Sequence, residues 1–394
     1  MSKSVSVGID VGTHEVKVAV AESTETKDKI LPKILGVGVA EAKGIRRGYI
    51  VNSDDVTRSI AQAVRKCEKS SGVKIKRAYL SVGGIGLQSV MSTGSIIISR
   101  ADSEITDLDV SKAIANSEKD IPKQLSINKK VIHTIPVQYR IDGKLVFGRP
   151  HGMKAMKLEV KTLFIICTEQ HINDLIQCVE ELGIEVEDVI ASPIAASLVA
   201  LNKLQKVAGC VLANIGSETV SIVVFENNIP ISLEVFPIGS TDITNDIALG
   251  LKTSLEEAED IKRQKISEYP YSKKKIDEII EARLSDIFEL IDSHLKKIGR
   301  SQLLPAGIVL IGGGSLEKDM EDFAKSELKL PSKIGKVENG GNTPVNDLSF
   351  AVAYGLCLVG YTNTEENEMG LKRGLRFAKT GGRRVISWIK QFLP

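Results

Sequence analysis

Two segments of this chain repeat one another without a gap. Ile9-Asp-Val-Gly-Thr-His-Glu-Val-Lys-Val-Ala-Val20 lies over Ala213-Asn-Ile-Gly-Ser-Glu-Thr-Val-Ser-Ile-Val-Val224. Asp10 falls on Asn214, Gly12 on Gly216 and Thr13 on Ser217, with alternating apolar residues on either side of the turn. Each copy predicts a β-hairpin closed by a tight turn of glycine and a hydroxyl residue. Such a turn can offer backbone N–H groups and a hydroxyl to a phosphate, because glycine lets the backbone come close. Two of them facing across a cleft would grip a polyphosphate from both sides. The bland alternative is two ordinary hairpins that look alike. A third glycine turn, Gly312-Gly-Gly-Ser315, follows the apolar strand Gly307 to Ile311 and adds to the first reading.

Composition narrows the class. The chain has 394 residues, 42% hydrophobic and 26% charged, which is enough to bury a core without metal or disulfide help. No apolar run reaches the roughly 18 residues of a membrane-spanning helix, and the first residues lack the apolar stretch of a secretory signal. Cys67, Cys167, Cys178, Cys210 and Cys357 are scattered among apolar neighbours without metal spacing, so they read as buried thiols of a reducing compartment. The five histidines are equally dispersed. Net charge is +2, but seven basic and no acidic residues fall between Met369 and Pro394, leaving the remainder about −5. The body gives no reason to expect nucleic acid.

Periodicity places the elements. Strands are expected at Val5–Gly12, Val16–Val20 and Lys33–Ala42, a helix at Asp54–Ser71 ended by Gly72, and a strand at Ala78–Val82. From Gly83 to about Leu163 the texture changes to a small inserted α+β unit. It holds a strand at Gly94–Ser99, a helix at Thr106–Asp120 and a hairpin around Asp142-Gly143. A strand at Lys161–Thr168 and helices at Gln170–Gly183 and Pro193–Leu204 follow. Beyond the second hairpin helices dominate from Thr241 to Gly299, and Tyr361 to about Gly382 reads as a flexible polar linker.

These motifs, in this order, resemble FtsA, the actin-like bacterial cell-division family, over nearly the full length. Gly8 to Thr13 resembles the family's first phosphate loop, Asn214 to Thr219 its second, and Gly307 to Gly314 its adenosine loop. Ile243–Lys252 and Glu256–Lys262 resemble two helices of its nucleotide-side subdomain. The insert resembles the subdomain that replaces the usual actin one. The resemblance implies an α/β actin-like (ribonuclease H-like) two-lobed fold with ATP and Mg²⁺ in the central cleft. Its subdomains would be 1A over 1–83, 164–192 and about 346–362, 1C over 84–163, 2A over 193–240 and 306–345, and 2B over 241–305. A linker would cover 363–382, and a terminal helix 383–394.

Nucleotide contacts are then expected from Asp10, Gly12, Thr13, His14 and Lys17, and from Asn214, Gly216, Ser217, Glu218 and Thr219. Gly239, Ser240, Gly312, Gly313, Gly314 and Ser315 join them. Glu259 and Lys262 would meet ribose and base; without the family, a surface ion pair with a neighbouring turn is the alternative. Asp10 would hold Mg²⁺ through water, the usual manner for this ion. No catalytic residue is singled out.

The chain departs from the family pattern at several of these positions. Asn214 replaces an aspartate and Glu218 a glycine, His14 and Glu15 stand where small and basic residues are common, and Gly239-Ser240 replaces two glycines. Asn keeps an oxygen but loses the charge that would help hold Mg²⁺ or orient water, and Glu218 would set a carboxylate near the γ-phosphate. Weak or absent ATP hydrolysis is therefore expected, since phosphoryl transfer rests on positioning and electrostatics. An alternative is that Glu218 itself supports the metal.

The resemblance implies a scaffold that polymerises with itself, tethers the FtsZ ring to the membrane through the FtsZ C-terminal tail (bound in 241–305), and recruits other division proteins. It would sit peripherally on the cytoplasmic face of the membrane at the division site. Rivals are a pilus-assembly scaffold with a similar first loop and a superfamily small-molecule kinase. The kinase would need an acidic base that the sequence does not offer, and a chaperone of the same superfamily would need a peptide-binding β-domain for which there is no room.

The terminal residues carry their own signal. On a helical wheel Val385, Ile386, Trp388, Ile389, Phe392 and Leu393 fall within roughly 160°. Arg383, Arg384 and Lys390 share the opposite side with Ser387 and Gln391. At about 16 Å this helix cannot cross a bilayer. It suits the interface instead, with its cations toward anionic lipid headgroups and the chain's single Trp at the boundary. A helix docked on its own domain, or on a partner, would share the pattern. Removing residues 383–394 is expected to abolish co-sedimentation with anionic liposomes, and equal pelleting of both forms would reject the anchor.

Overall fold

A computed structural model describes residues 5–25, 30–265, 271–316, 319–337 and 347–372. β1 (Val5–Val11) and β2 (Glu15–Glu25) form the first hairpin, with Asp10 opposite Lys17, and β3 (Ile30–Glu41) pairs antiparallel with β2. A short ribbon not foreseen from the sequence follows. Its strands β4 (Ile45–Arg46) and β5 (Tyr49–Ile50) are joined by Arg47 and Gly48, both left-handed. α1 (Ser53–Ser71) begins where the Asn52 side chain accepts the Asp55 N–H and ends at left-handed Gly72. Its apolar stripe of Val56, Ile60, Ala63, Val64 and Cys67 is buried. β6 (Arg77–Val82) then runs parallel to β1.

The inserted unit comprises β7 (Gln88–Ile97), α2 (Asp107–Lys119), α3 (Lys123–Ser126), β8 (Lys129–Ile141), β9 (Lys144–Val146) and β10 (Lys157–Thr168). Its four strands form an antiparallel sheet in the order β7-β10-β8-β9. The buried His133 ring on β8 accepts the Ala191 N–H at 3.0 Å, which ties the insert to the main body.

α4 (Glu169–Glu180) and β11 (Glu185–Ala191) complete the first lobe, whose sheet order is β11-β6-β1-β2-β3. α5 (Ser192–Ala200) is shorter than the expected Pro193–Leu204 helix. Asn202 caps a new helix, α6 (Lys203–Ala208), by accepting the Gln205 N–H, and the Gln205 side chain accepts the Asn202 N–H in return. This reciprocal cap competes successfully with continuation of α5.

The second lobe repeats the first. β12 (Cys210–Ile215) and β13 (Val220–Glu226) form the hairpin, with Asn214 opposite Ser221, and β14 (Ile229–Phe236) pairs antiparallel with β13. α7 (Ser240–Leu251), α8 (Leu255–Lys262) and α9 (Lys273–Lys297) lead to β15 (Ile308–Ile311), parallel to β12. α10 (Met320–Leu328) and β16 (Ser332–Ile334) follow. The order β14-β13-β12-β15-β16 matches the first sheet strand for strand, with β12 in the place of β1 and β15 in that of β6.

α5 and α11 (Ala351–Lys372) join one continuous core with residues of both five-stranded sheets, while α7, α9 and α10 bury the other face of the second sheet. The backbones of α5 and α11 touch at Gly355, where a Cβ would lie 1.9 Å from the Ala195 carbonyl oxygen. α11 also overturns part of the linker expectation, because the chain stays helical from Tyr361 to Lys372. Glu365, Glu366, Glu368 and Met369 are good helix formers, and proline is absent from this stretch. The remainder of the expected linker and the amphipathic segment 383–394 lie outside the described residues. Among the described residues no helix is long and apolar enough to cross a membrane.

Candidate functional site

The duplicated turns come to one place. In the first, the Gly12 N–H donates to the Glu15 carbonyl at 3.1 Å, and in the second the Gly216 N–H donates to the Thr219 carbonyl at 2.9 Å. The residue offset is the same in both. A Cβ at either glycine would lie 2.8 Å or 2.9 Å from that same carbonyl oxygen, so each turn closes this tightly only around glycine. Both turns line a single cleft of about 1020 Å³ between the lobes, together with Gly312, Gly313 and Gly314 at the end of β15.

Of the residues expected at the site, Asp10, Gly12, Thr13, His14, Lys17, Asn214, Gly216, Ser217, Thr219, Ser240, Glu259, Lys262 and the three glycines line this cleft. Gly239, Ser315 and Glu218 do not. Gly239 packs behind the second turn, where a Cβ would meet the Ser217 carbonyl oxygen at 2.3 Å. Its neighbours Ser240 and Thr241 donate their N–H groups to the Gly216 and Ser217 carbonyls, which fixes the start of α7 to the turn. Ser315 is fully buried, and its hydroxyl donates to the Gly312 carbonyl at 2.7 Å. The Glu218 carboxylate, expected near a γ-phosphate, instead accepts the Arg47 N–H of the opposite lobe at 2.5 Å.

The polar groups within the cleft are held firmly. Asp10 Oδ1 accepts the Ser81 hydroxyl from β6 at 2.7 Å. Burial pushes the Asp10 carboxyl above the usual range, opposed by that hydrogen bond and by the Lys17 charge. Lys17 itself pairs with Glu15 at 2.8 Å. Gly312 is left-handed, and a Cβ there would sit 2.3 Å from Asn214 Oδ1, so the amide of the second turn touches the third glycine turn.

On the far wall the Lys262 ammonium is nearly buried. It lies 2.6 Å from Glu259, 2.7 Å from the Thr244 hydroxyl and 3.1 Å from the Ser240 carbonyl. Three acceptors thus occupy its three N–H groups, and Lys262 acts as a strut between α7 and α8. Glu259 also accepts from Thr244 and from Arg263, both at 2.6 Å.

Sequence reasoning missed Ser81, Thr244 and the trio Gly48, Gly83 and Gly84, which all line the cleft. Gly83-Gly84 was visible as the opening of the insert. Ser81 and Thr244 carried no local signal, since their roles depend on pairing across strands and helices.

Similarity to known proteins agrees with this geometry. Residues 211–355 match the family model described as cell division protein FtsA, and residues 84–166 match that of the SHS2 domain inserted in FtsA. The FtsA of Bacillus subtilis is 30% identical over 373 residues, spanning 88% of this chain and 83% of its own length. The chain belongs to the FtsA family. Another FtsA, from Neisseria meningitidis, is 28% identical over 98% of this chain and 97% of its own length.

Among solved structures, the fold of this FtsA-family chain is similar to a PilM-PilN type IV pilus biogenesis complex. That likeness has TM-score 0.66 at 16% identity and covers 90% of this chain and 98% of that one. It is also similar to MreB 5 of Spiroplasma citri bound to AMPPNP, with TM-score 0.52 at 13% identity over 95% and 100% of the two chains. The fold is therefore actin-like with an inserted SHS2 domain, and the family is one of cell division.

Burial alone would raise the Glu259 carboxyl, but hydrogen bonds from Lys262, Thr244 and Arg263 and the Lys262 charge outweigh it and bring the group from the ordinary 4.5 down to about 2. The folded state thus holds this proton less tightly than the unfolded chain. The resulting stabilisation is complete above about pH 4.5 and is lost as pH falls toward 2. In urea unfolding, Glu259→Gln is expected to be less stable than the native protein near neutral pH, with the gap closing below pH 4.5. A gap independent of pH would contradict the assignment.

Proposed function

We propose that this protein is an ATP-binding, filament-forming scaffold that tethers the FtsZ ring to the cytoplasmic membrane and helps to recruit other division proteins. The observation that carries the nucleotide part is the pair of glycine turns, closed at the same residue offset, that line one interlobe cleft. Each sets its glycine and a hydroxyl residue, Thr13 or Ser217, on the lining of the shared space, where such turns can receive phosphate. AMPPNP in the MreB 5 structure supports ATP as the ligand. Gly312, Gly313 and Gly314 form the adenosine side, and Glu259 its outer wall.

Magnesium fits the donor set only in one manner. Asp10 offers a half-buried carboxylate on the cleft lining, and no group of three or more His, Cys, Asp or Glu side chains able to hold an ion occurs among the described residues. Such a site suits an ion that keeps its waters and leans on phosphate oxygens, as Mg²⁺ does. When bound, the ion would neutralise phosphate charge. Asn214 adds an oxygen without a second negative charge, which favours retention of ATP over its hydrolysis.

Tethering rests on family membership and on the amphipathic, cationic sequence 383–394. The helical subdomain 241–305 is assigned to the FtsZ tail. A pilus-assembly role gains only a likeness of fold from the PilM-PilN structure, whereas whole-length sequence similarity lies with the division proteins.

The reading is tested by nucleotide titration and by pull-down. Native protein is expected to bind ATP with turnover below roughly one per second, the low end of ordinary enzymes. Gly12→Ala and Gly216→Ala should each weaken binding about tenfold or more, equivalent to at least about 1.4 kcal/mol. FtsZ tail peptide should be retained and a pilus-protein tail peptide should not. Steady rapid turnover, absent ATP affinity or the reverse peptide preference would overturn it.

A further inference from the structure

The contact between Glu218 and Arg47 joins two rigid pieces. Glu218 sits in the second glycine turn, which is held from behind by the Ser240 and Thr241 N–H groups and by the close approach of Gly239. Arg47 sits at the tip of the β4–β5 ribbon. That ribbon is pinned to the first lobe, because Gly48 and Gly84 meet back to back and a Cβ at Gly48 would lie 2.3 Å from Gly84 Cα. The Ile85 N–H also donates to the Arg47 carbonyl at 3.4 Å. Gly48, Gly83 and Gly84 line the same cleft as the two turns. Between these pieces Glu218 reaches over the cleft to a residue 171 positions away. Neither backbone can follow the other if the lobes separate, so opening breaks this hydrogen bond.

We propose that Glu218 is an interlobe latch: its carboxylate, by accepting the Arg47 N–H across the cleft, holds the lobes together and slows departure of the bound nucleotide. The rate effect rests on the nucleotide reading above, while the effect on lobe separation does not. A carboxylate is suited to the part, since an ionised acceptor makes a shorter and stronger bond than a neutral one. Partial exposure to solvent keeps the latch weak enough to open. Glu218 is a positioning residue here, because it acts through the distance between the lobes.

The latch and a direct electrostatic role predict opposite signs. If Glu218 worked by repelling phosphates, removing it would slow nucleotide release; if it is a latch, removing it speeds release. Spin labels at the exposed positions of Lys43→Cys and Leu249→Cys report lobe separation in the nucleotide-free protein. Glu218→Ala is expected to lengthen or broaden that distance distribution, with Glu218→Gln intermediate. Stopped-flow release of a fluorescent ATP derivative should be roughly three- to tenfold faster in Glu218→Ala, a range set by a charge-assisted bond partly screened by water. An unchanged distance distribution, or slower release, would overturn the latch. If no variant binds the ATP derivative, the nucleotide reading fails and the distance measurement alone still decides the latch.

Discussion

The glycine turn closed by one backbone hydrogen bond, made twice at the same residue offset, determines where everything else in this molecule must lie. Gly12 and Gly216 allow β1 and β12 to double back at their C-terminal ends without a side chain in the way. Each turn brings its glycine and hydroxyl residue to the lining of the interlobe cleft. The two sheets share one strand order and pack about α5 and α11, and both turns open into that one cleft. The inserted domain leaves this arrangement intact. It enters after Gly84, returns through β10, and is tied back by His133 to Ala191 and by the Ser89 hydroxyl, which bonds both the N–H and the carbonyl of Leu233 on β14.

Charge in the cleft is spent conservatively. The Lys262 cation braces α7 against α8, Lys17 is paired with Glu15, and the Asp10 carboxylate accepts the Ser81 hydroxyl. Asn214 stands where the symmetry-related residue of the other turn is an aspartate. On the proposed reading, such a site would hold a polyphosphate without breaking it. The Glu218 carboxylate lies outside the cleft lining and accepts the Arg47 N–H of the opposite lobe.

Much of this was legible in the sequence, for physical reasons that differ by residue. The repeat survived because the turn tolerates no substitute for glycine and because the flanking strands alternate cleanly. α1 was visible through its apolar spacing and the Gly72 stop, and α2 through its cap at Thr106, whereas the Asn52 cap of α1 was not read. The break at Asn202 was not, because the apolar run from Ile194 to Leu204 reads equally as one helix until the reciprocal Asn202–Gln205 cap is seen. β16 and the β4–β5 ribbon are two or three residues per strand, whereas β14 follows a left-handed Asn227-Asn228 turn that sequence reasoning passed over. Glu218 was misplaced because sequence gives a side chain's position along the turn and not its direction, and the Arg47 N–H it meets carries no mark in the sequence. Ser81 and Thr244 were missed for the same reason: their partners lie on other elements.

The most direct test of the account is a crystal structure of the full chain with a non-hydrolysable ATP analogue. Phosphate oxygens within hydrogen-bond distance of backbone N–H groups from both the 12–15 and the 216–219 turns would agree with it. An analogue seated on one turn alone, or bound elsewhere on the molecule, would contradict it.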